Sequence, residues 1–219
     1  MSTRGAIVKI TSIGEDGTLK FKGRYHHNDG YPKGLGASLF ELYQETKGDL
    51  TWILRTLIDD HPAGWSEIVG ADFGLPPGFT ETKHMKRDKR TGSIIIPKNP
   101  ACYCHGDRHE KEWTITDRDV PWDVEWVYAL NEQLKTMHVL THDWVGDDSD
   151  RGVLVEVAVV NLEGPEPDWV AMKQVEEMVS TILGNLPPGT DIPKTAKAIK
   201  AAYPDVCLDW WLENAQNEA

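Results

Sequence analysis

The chain has 219 residues, 40% of them hydrophobic, with nine tryptophans; this is enough apolar mass for a packed domain with appendages and excludes a disordered chain. Thirty-five acidic against 23 basic residues leave a net charge of −12, a surface that repels phosphate backbones and speaks against general nucleic-acid binding. Three cysteines do not make a secreted disulfide framework, MSTRGAIVKI has no signal-peptide core, and no apolar run approaches the roughly 20 residues of a bilayer span, so the sequence reads as a cytoplasmic protein with reduced thiols and no membrane contact.

Residues 5–12, GAIVKITS, predict a strand, Glu15-Asp16-Gly17 a turn, and LKFKGRY a returning strand, so the chain opens on a β-hairpin. Ser38 with Glu41 fits a capping box opening a helix with Leu39, Leu42, Tyr43 and Thr46 at helical spacing. Gly48 interrupts, and Asp49 caps a second helix whose apolar face is Leu50, Ile53, Leu54, Leu57 and Ile58. Residues 62–92, rich in Gly, Pro and charge, predict a long loop. Ser93–Pro97 and Trp113–Thr116 predict short strands, and 125–130 with 136–141 a hairpin around 131–135. Asp147–Gly152 predicts a polar turn before a strand over 153–160, β-branched and buried on both faces. Beyond Pro165 and Pro167, Asp168 caps a helix whose apolar side carries Val170, Val175, Met178, Val179, Ile182 and Leu183, and Pro193–Asn214 predicts a helical tail holding Trp210-Trp211. The sum is an α+β fold: an antiparallel sheet with packed helices, a core domain over residues 1–164, and a C-terminal helical segment over 165–219 packed on it.

Two segments carry the candidate chemistry. YHHNDGYPKGLG holds Tyr25, His27, Asp29 and Tyr31; YCHGDRHE holds Tyr103, His105, Asp107, Arg108 and Glu110. Both contain Tyr-x-His-x-Asp. Residues two apart share a face of an extended segment, so His27 with Asp29, and His105 with Asp107, would form carboxylate–imidazole pairs fit for acid–base work. Asp-Gly-Tyr-Pro is also good turn chemistry by itself, and a histidine near a turn can simply bond a backbone carbonyl. Cys102-x-Cys104-His105 with His109 suggests zinc, completed by His142 or Cys207, but the one-residue gap between the cysteines is not the usual spacing. The pattern is therefore read without metal or cofactor, the thiols being reduced and half-buried.

These motifs resemble those of a family of uncharacterised proteins encoded by bacteriophages and prophages, over about residues 3–130. The similarity rests on the Thr-Arg-Gly start, on Tyr-x-His-x-Asp-Gly-Tyr-Pro-x-Gly-Leu-Gly, and on His105, Asp107, Arg108 and Glu110 in a Tyr-His-x-Asp-Arg-x-Glu-like segment. Glu125-Trp126-Val127-Tyr128 resembles a later strand of that family. The resemblance implies a phage origin and one shared site, but no reaction. GRYHHND is also loosely similar to the Gly-Arg-Asn-x-Asp segment of N-terminal nucleophile hydrolases of the bile-salt-hydrolase branch. It departs from them in that the Asn is not next to the Arg and the nucleophile would be Ser2 rather than Cys.

The expectation is a phage accessory protein, acting in host takeover or counter-defence, that binds a small anionic ligand such as a nucleotide, or a host protein. Arg4, Tyr25, Tyr31, Arg108 and Glu110 would contact the ligand beside His27, Asp29, His105 and Asp107, with the glycine amides and the Ser38 helix start approaching the anion. The alternative is a hydrolase using the His/Asp groups or Ser2. A third reading makes the acidic surface itself a mimic, and Trp210-Trp211 would suit packing against a second copy.

Overall fold

The computed structural model describes residues 3–15, 19–68, 102–104, 112–145, 148–187, 190 and 210–212. Seven strands form one mixed sheet in the order β3-β2-β1-β4-β5-β6-β7. They are β1 (Gly5–Ile13), β2 (Leu19–His26), β3 (Thr114–Thr116), β4 (Trp126–Asn131), β5 (Thr136–Val145), β6 (Asp148–Asn161) and β7 (Trp210–Leu212). Helices α1 (Ala37–Glu45), α2 (Leu50–Leu54) and α3 (Trp169–Gly184) complete the α+β fold, with single π-turns over Pro32–Gly36 and Arg55–Asp59.

Neighbouring strands pair antiparallel except β1 with β4, which run parallel from Gly5↔Trp126 to Lys9↔Leu130. An antiparallel sheet is therefore the right reading everywhere but at this central seam, which no local pattern announces. Strand β4 is buried at all six positions, as a central strand covered on both faces must be. Its side chains alternate between two cores. Trp126, Tyr128 and Leu130 join the cluster beneath the helices with Ile7, Leu39, Leu57 and Val139; Val127 and Ala129 join the opposite cluster with Ala6, Val8, Tyr25, Tyr103 and Ile115.

Asp49 caps α2 by accepting from the Trp52 amide, and Leu50, Ile53, Leu54, Leu57 and Ile58 are all buried. At ~1.5–3 kcal/mol per aliphatic side chain, that stripe contributes gross burial on the order of 10 kcal/mol, enough to hold a one-turn helix that would not form alone. Asp168 caps α3 through the amides of Val170 and Ala171. The buried stripe of α3 is Trp169, Met172, Val179 and Leu183, with Val175 packed against it, while Val170, predicted apolar-side, is exposed.

Four local expectations are corrected. Ser38 is no N-cap: the coil already turns at Pro32, Gly36 precedes α1, and the Ser38 hydroxyl donates back to the Gly34 carbonyl at 2.9 Å. The polar stretch after Asp147 is not a turn, since Asp148–Gly152 belong to β6, where the ladder to β5 outweighs weak strand propensity. Val159 of the same strand is exposed, so burial on both faces is incomplete there. Trp210–Leu212 is a strand on β6, not part of a helix, as suits two aromatic residues beside an open ladder edge. The expected strand Ser93–Pro97, the Asp16-Gly17 turn, most of the loop over 62–92 and the rest of the tail lie outside the described residues.

Candidate functional site

The end of β2 delivers the first motif. Tyr25 is buried, stacks on Trp113 with centroids 4.1 Å apart and planes 9° apart, and shares a 2.8 Å hydrogen bond between its hydroxyl and His27 Nδ1. Arg4, at the start of the adjacent strand, lies 3.2 Å from the Asp123 carboxylate. Burial, reinforced by Asp123 and opposed by Arg4, pushes the Tyr25 phenol up to about 12. The hydroxyl thus keeps its proton at neutral pH and can donate into His27. Asp123, Arg4, Tyr25 and His27 form a polar chain at the rim of the second core.

The alternation predicted to carry Asp29 onto the face of His27 stops short of it. Asp29 has left-handed backbone, φ 51°, and its carbonyl accepts the Leu35 amide while its side chain is exposed. His27 Nδ1 is held by the Tyr25 hydroxyl. The glycine amides do not present themselves to an anion either. Gly30 donates to the Thr3 carbonyl and Gly34 to the Tyr31 carbonyl, at 2.8 and 2.9 Å. A Cβ on Gly30 would lie 2.6 Å from the Arg4 carbonyl carbon, so its glycine serves close packing on β1. Tyr128 donates its hydroxyl to the Gly30 carbonyl at 2.7 Å, pinning the loop from beneath.

The second motif reaches the first through residues 61–65. Trp65 donates its amide to the Tyr25 carbonyl and accepts the His27 amide, lying beside β2 past Arg24, where the ladder to β3 ends. Tyr103 in turn donates to the Gly64 carbonyl at 2.9 Å, and Trp65 bridges Cys102 antiparallel. Tyr25 and Tyr103 pack into one cluster with Ala63. Gly64 makes the bend possible: φ is 82°, and a Cβ there would lie 2.6 Å from the Tyr25 carbonyl oxygen.

That bend brings together three side chains. The donor atoms of His61, Cys102 and Cys104 lie within 4.8 Å of one another; His61 and Cys102 are buried and Cys104 half-buried. His61 packs on the Trp65 ring at 4.5 Å, and the Ala63 amide donates to Cys104 Sγ at 3.2 Å. Hydrogen bonds from Cys102 first, then from His61 and the Ala63 amide, hold the Cys104 thiol well below its ordinary value, outweighing desolvation. Nearby in sequence, His26 is buried with neither ring nitrogen hydrogen-bonded among the described residues, and desolvation holds it down to about 3.

Arg4, Tyr25 and His27 are thus brought together. Tyr31 is exposed on the loop, and Asp29 points its carboxylate to solvent. His105, Asp107, Arg108, Glu110 and Ser2 lie outside the described residues. His61 was not legible as a site residue. Its signal is its place in His-Pro-Ala-Gly, a turn that must fold back, considered jointly with the downstream Cys-x-Cys. Comparison with family models, with curated proteins and with solved structures finds no match.

Proposed function

We propose that the protein binds a small anionic ligand, nucleotide-like in class, at the junction of its two Tyr-x-His-x-Asp segments. The observation that carries this reading is the hydrogen-bonded bridge Tyr25–Trp65 and Gly64–Tyr103, which brings Tyr103 to the end of β2 where Tyr25 and His27 lie beside Arg4 at the start of β1. Arg4 is more than a third exposed and could turn its guanidinium from Asp123 to an anion, leaving Asp123 to solvent. In the phage setting that the sequence resemblance implies, such a protein would sequester a host or signalling anion. The test is calorimetry of the full chain against ATP, a cyclic dinucleotide and inorganic phosphate. Arg4→Gln and His27→Ala should weaken binding at least tenfold without shifting the melting temperature. Binding by none of the three, or variants that bind like the parent, overturns the reading.

A second reading, hydrolysis, is favoured by one observation. The Tyr25 hydroxyl fixes the orientation of the His27 ring, as acid–base catalysis requires. It predicts turnover of the bound compound that His27→Ala removes while binding persists.

A further inference from the structure

We infer that His61, Cys102 and Cys104 form a binding site for a zinc-class divalent metal ion. This inference is independent of the anionic-ligand reading. Its residues are not those of the polar chain, and it is judged by metal uptake alone.

The argument starts from donor chemistry. Two sulfurs and one imidazole are a soft-to-borderline set that selects zinc over calcium or magnesium, which take oxygen ligands. Distances follow. A tetrahedral zinc with Zn–S near 2.3 Å and Zn–N near 2.0–2.1 Å holds its donors roughly 3.5–3.8 Å apart. The three atoms already lie within 4.8 Å of one another, so closing on the ion requires a contraction of at most about 1.3 Å.

The frame around the donors is built rather than incidental. His61 leads a turn closed by Gly64 N–H donating to its carbonyl at 3.1 Å, and Gly64 is held in left-handed backbone against β2. Trp65 packs on the imidazole and anchors its indole N–H on the Leu57 carbonyl at 2.8 Å. On the other side, the Tyr103 amide fixes the Cys-x-Cys segment to the same turn. The Ala63 amide on Cys104 Sγ is the kind of outer hydrogen bond that orients a metal-bound thiolate. The buried positions of His61 and Cys102 keep the ion from bulk water, while half-buried Cys104 leaves one side open. Among the described residues no fourth His, Cys or carboxylate joins the group. With both sulfurs bound as thiolates and His61 neutral, their two negative charges balance the divalent ion, so the loaded site carries no net charge.

The test uses the full chain, purified under reducing conditions and stripped with chelator. Cobalt and zinc are then titrated. The expected result is one equivalent per chain, with a thiolate-to-cobalt charge-transfer band and tetrahedral visible bands that zinc displaces. Cys102→Ser, Cys104→Ser and His61→Asn should each weaken uptake by at least tenfold. Because a serine at buried Cys102 could unfold the chain, a second measurement uses the parent protein: zinc should slow alkylation of Cys102 and Cys104, read by peptide mass, while leaving Cys207 unchanged. A reduced chain that takes up no cobalt, or whose Cys102 and Cys104 alkylate at the same rate with and without zinc, overturns the inference.

Discussion

His26 sits at the last position of β2, paired with Gly5, and its buried imidazole has no hydrogen-bond partner among the described residues. Burial, with a smaller contribution from His27, lowers its pKa from 6.5 to about 3. In the unfolded chain the same ring titrates at its ordinary value. Between those two values the unfolded state binds a proton that the folded state refuses, so stability falls as pH drops below 6.5 and is flat above it. The slope is about 1.4 kcal/mol per pH unit, and two units of acidification cost about 3 kcal/mol, a large share of the roughly 5–15 kcal/mol that holds a domain together. His26→Leu removes this term. At pH 7.5 the variant should be as stable as the parent or about 1 kcal/mol more so, since two unpaired ring nitrogens leave the core. At pH 4.5 it should exceed the parent by about 3 kcal/mol or more. Urea midpoints followed by tryptophan fluorescence at five pH values give both curves. Parallel curves for parent and variant would refute the reasoning, because the other titrating groups are common to both chains.

Two further changes bear on the frame of the site and of the fold. Gly64→Ala places a Cβ 2.6 Å from the Tyr25 carbonyl oxygen at φ 82°, and should destabilise by about 2 kcal/mol in denaturant titrations while lowering cobalt uptake. Asp168→Ala frees the amides of Val170 and Ala171 at the start of α3 and should cost about 1 kcal/mol, measured the same way, with cobalt uptake unchanged.

The parts of the fold legible in the sequence are those whose signal is local. Asp49 and Asp168 announce their helices because a carboxylate there answers free amides, and the period of Leu50 to Ile58 shows which face is buried. Ser38 failed for the opposite reason: Pro32 starts the coil one turn earlier, and a serine inside a helix bonds back to the carbonyl four residues before it. Strand β7 and the parallel pairing of β1 with β4 depend on partners far along the chain, which no window contains. The site divides in the same way. The repeated Tyr-x-His-x-Asp singles out Tyr25 and Tyr103, which share one buried cluster. Its pattern points to histidines and carboxylates, whereas the bend at Gly64 places His61 against the cysteines.

The parallel seam also sets an order of assembly. β1 and β2 can pair as soon as both leave the ribosome, but Ile7 meets Tyr128 only after about 100 further residues have been made. At roughly 5–20 residues per second, that is a wait of about 5–20 s. During it the open edge of β1, Gly5–Lys9, has no strand partner. The nascent chain must therefore pass through a stage with an unpaired, mostly apolar strand edge, the kind of surface that pairs with other chains. Completion of this sheet depends on long-range loop closure rather than on its hairpins, and a cell making the protein at high rate would feel that delay as a demand for chaperones.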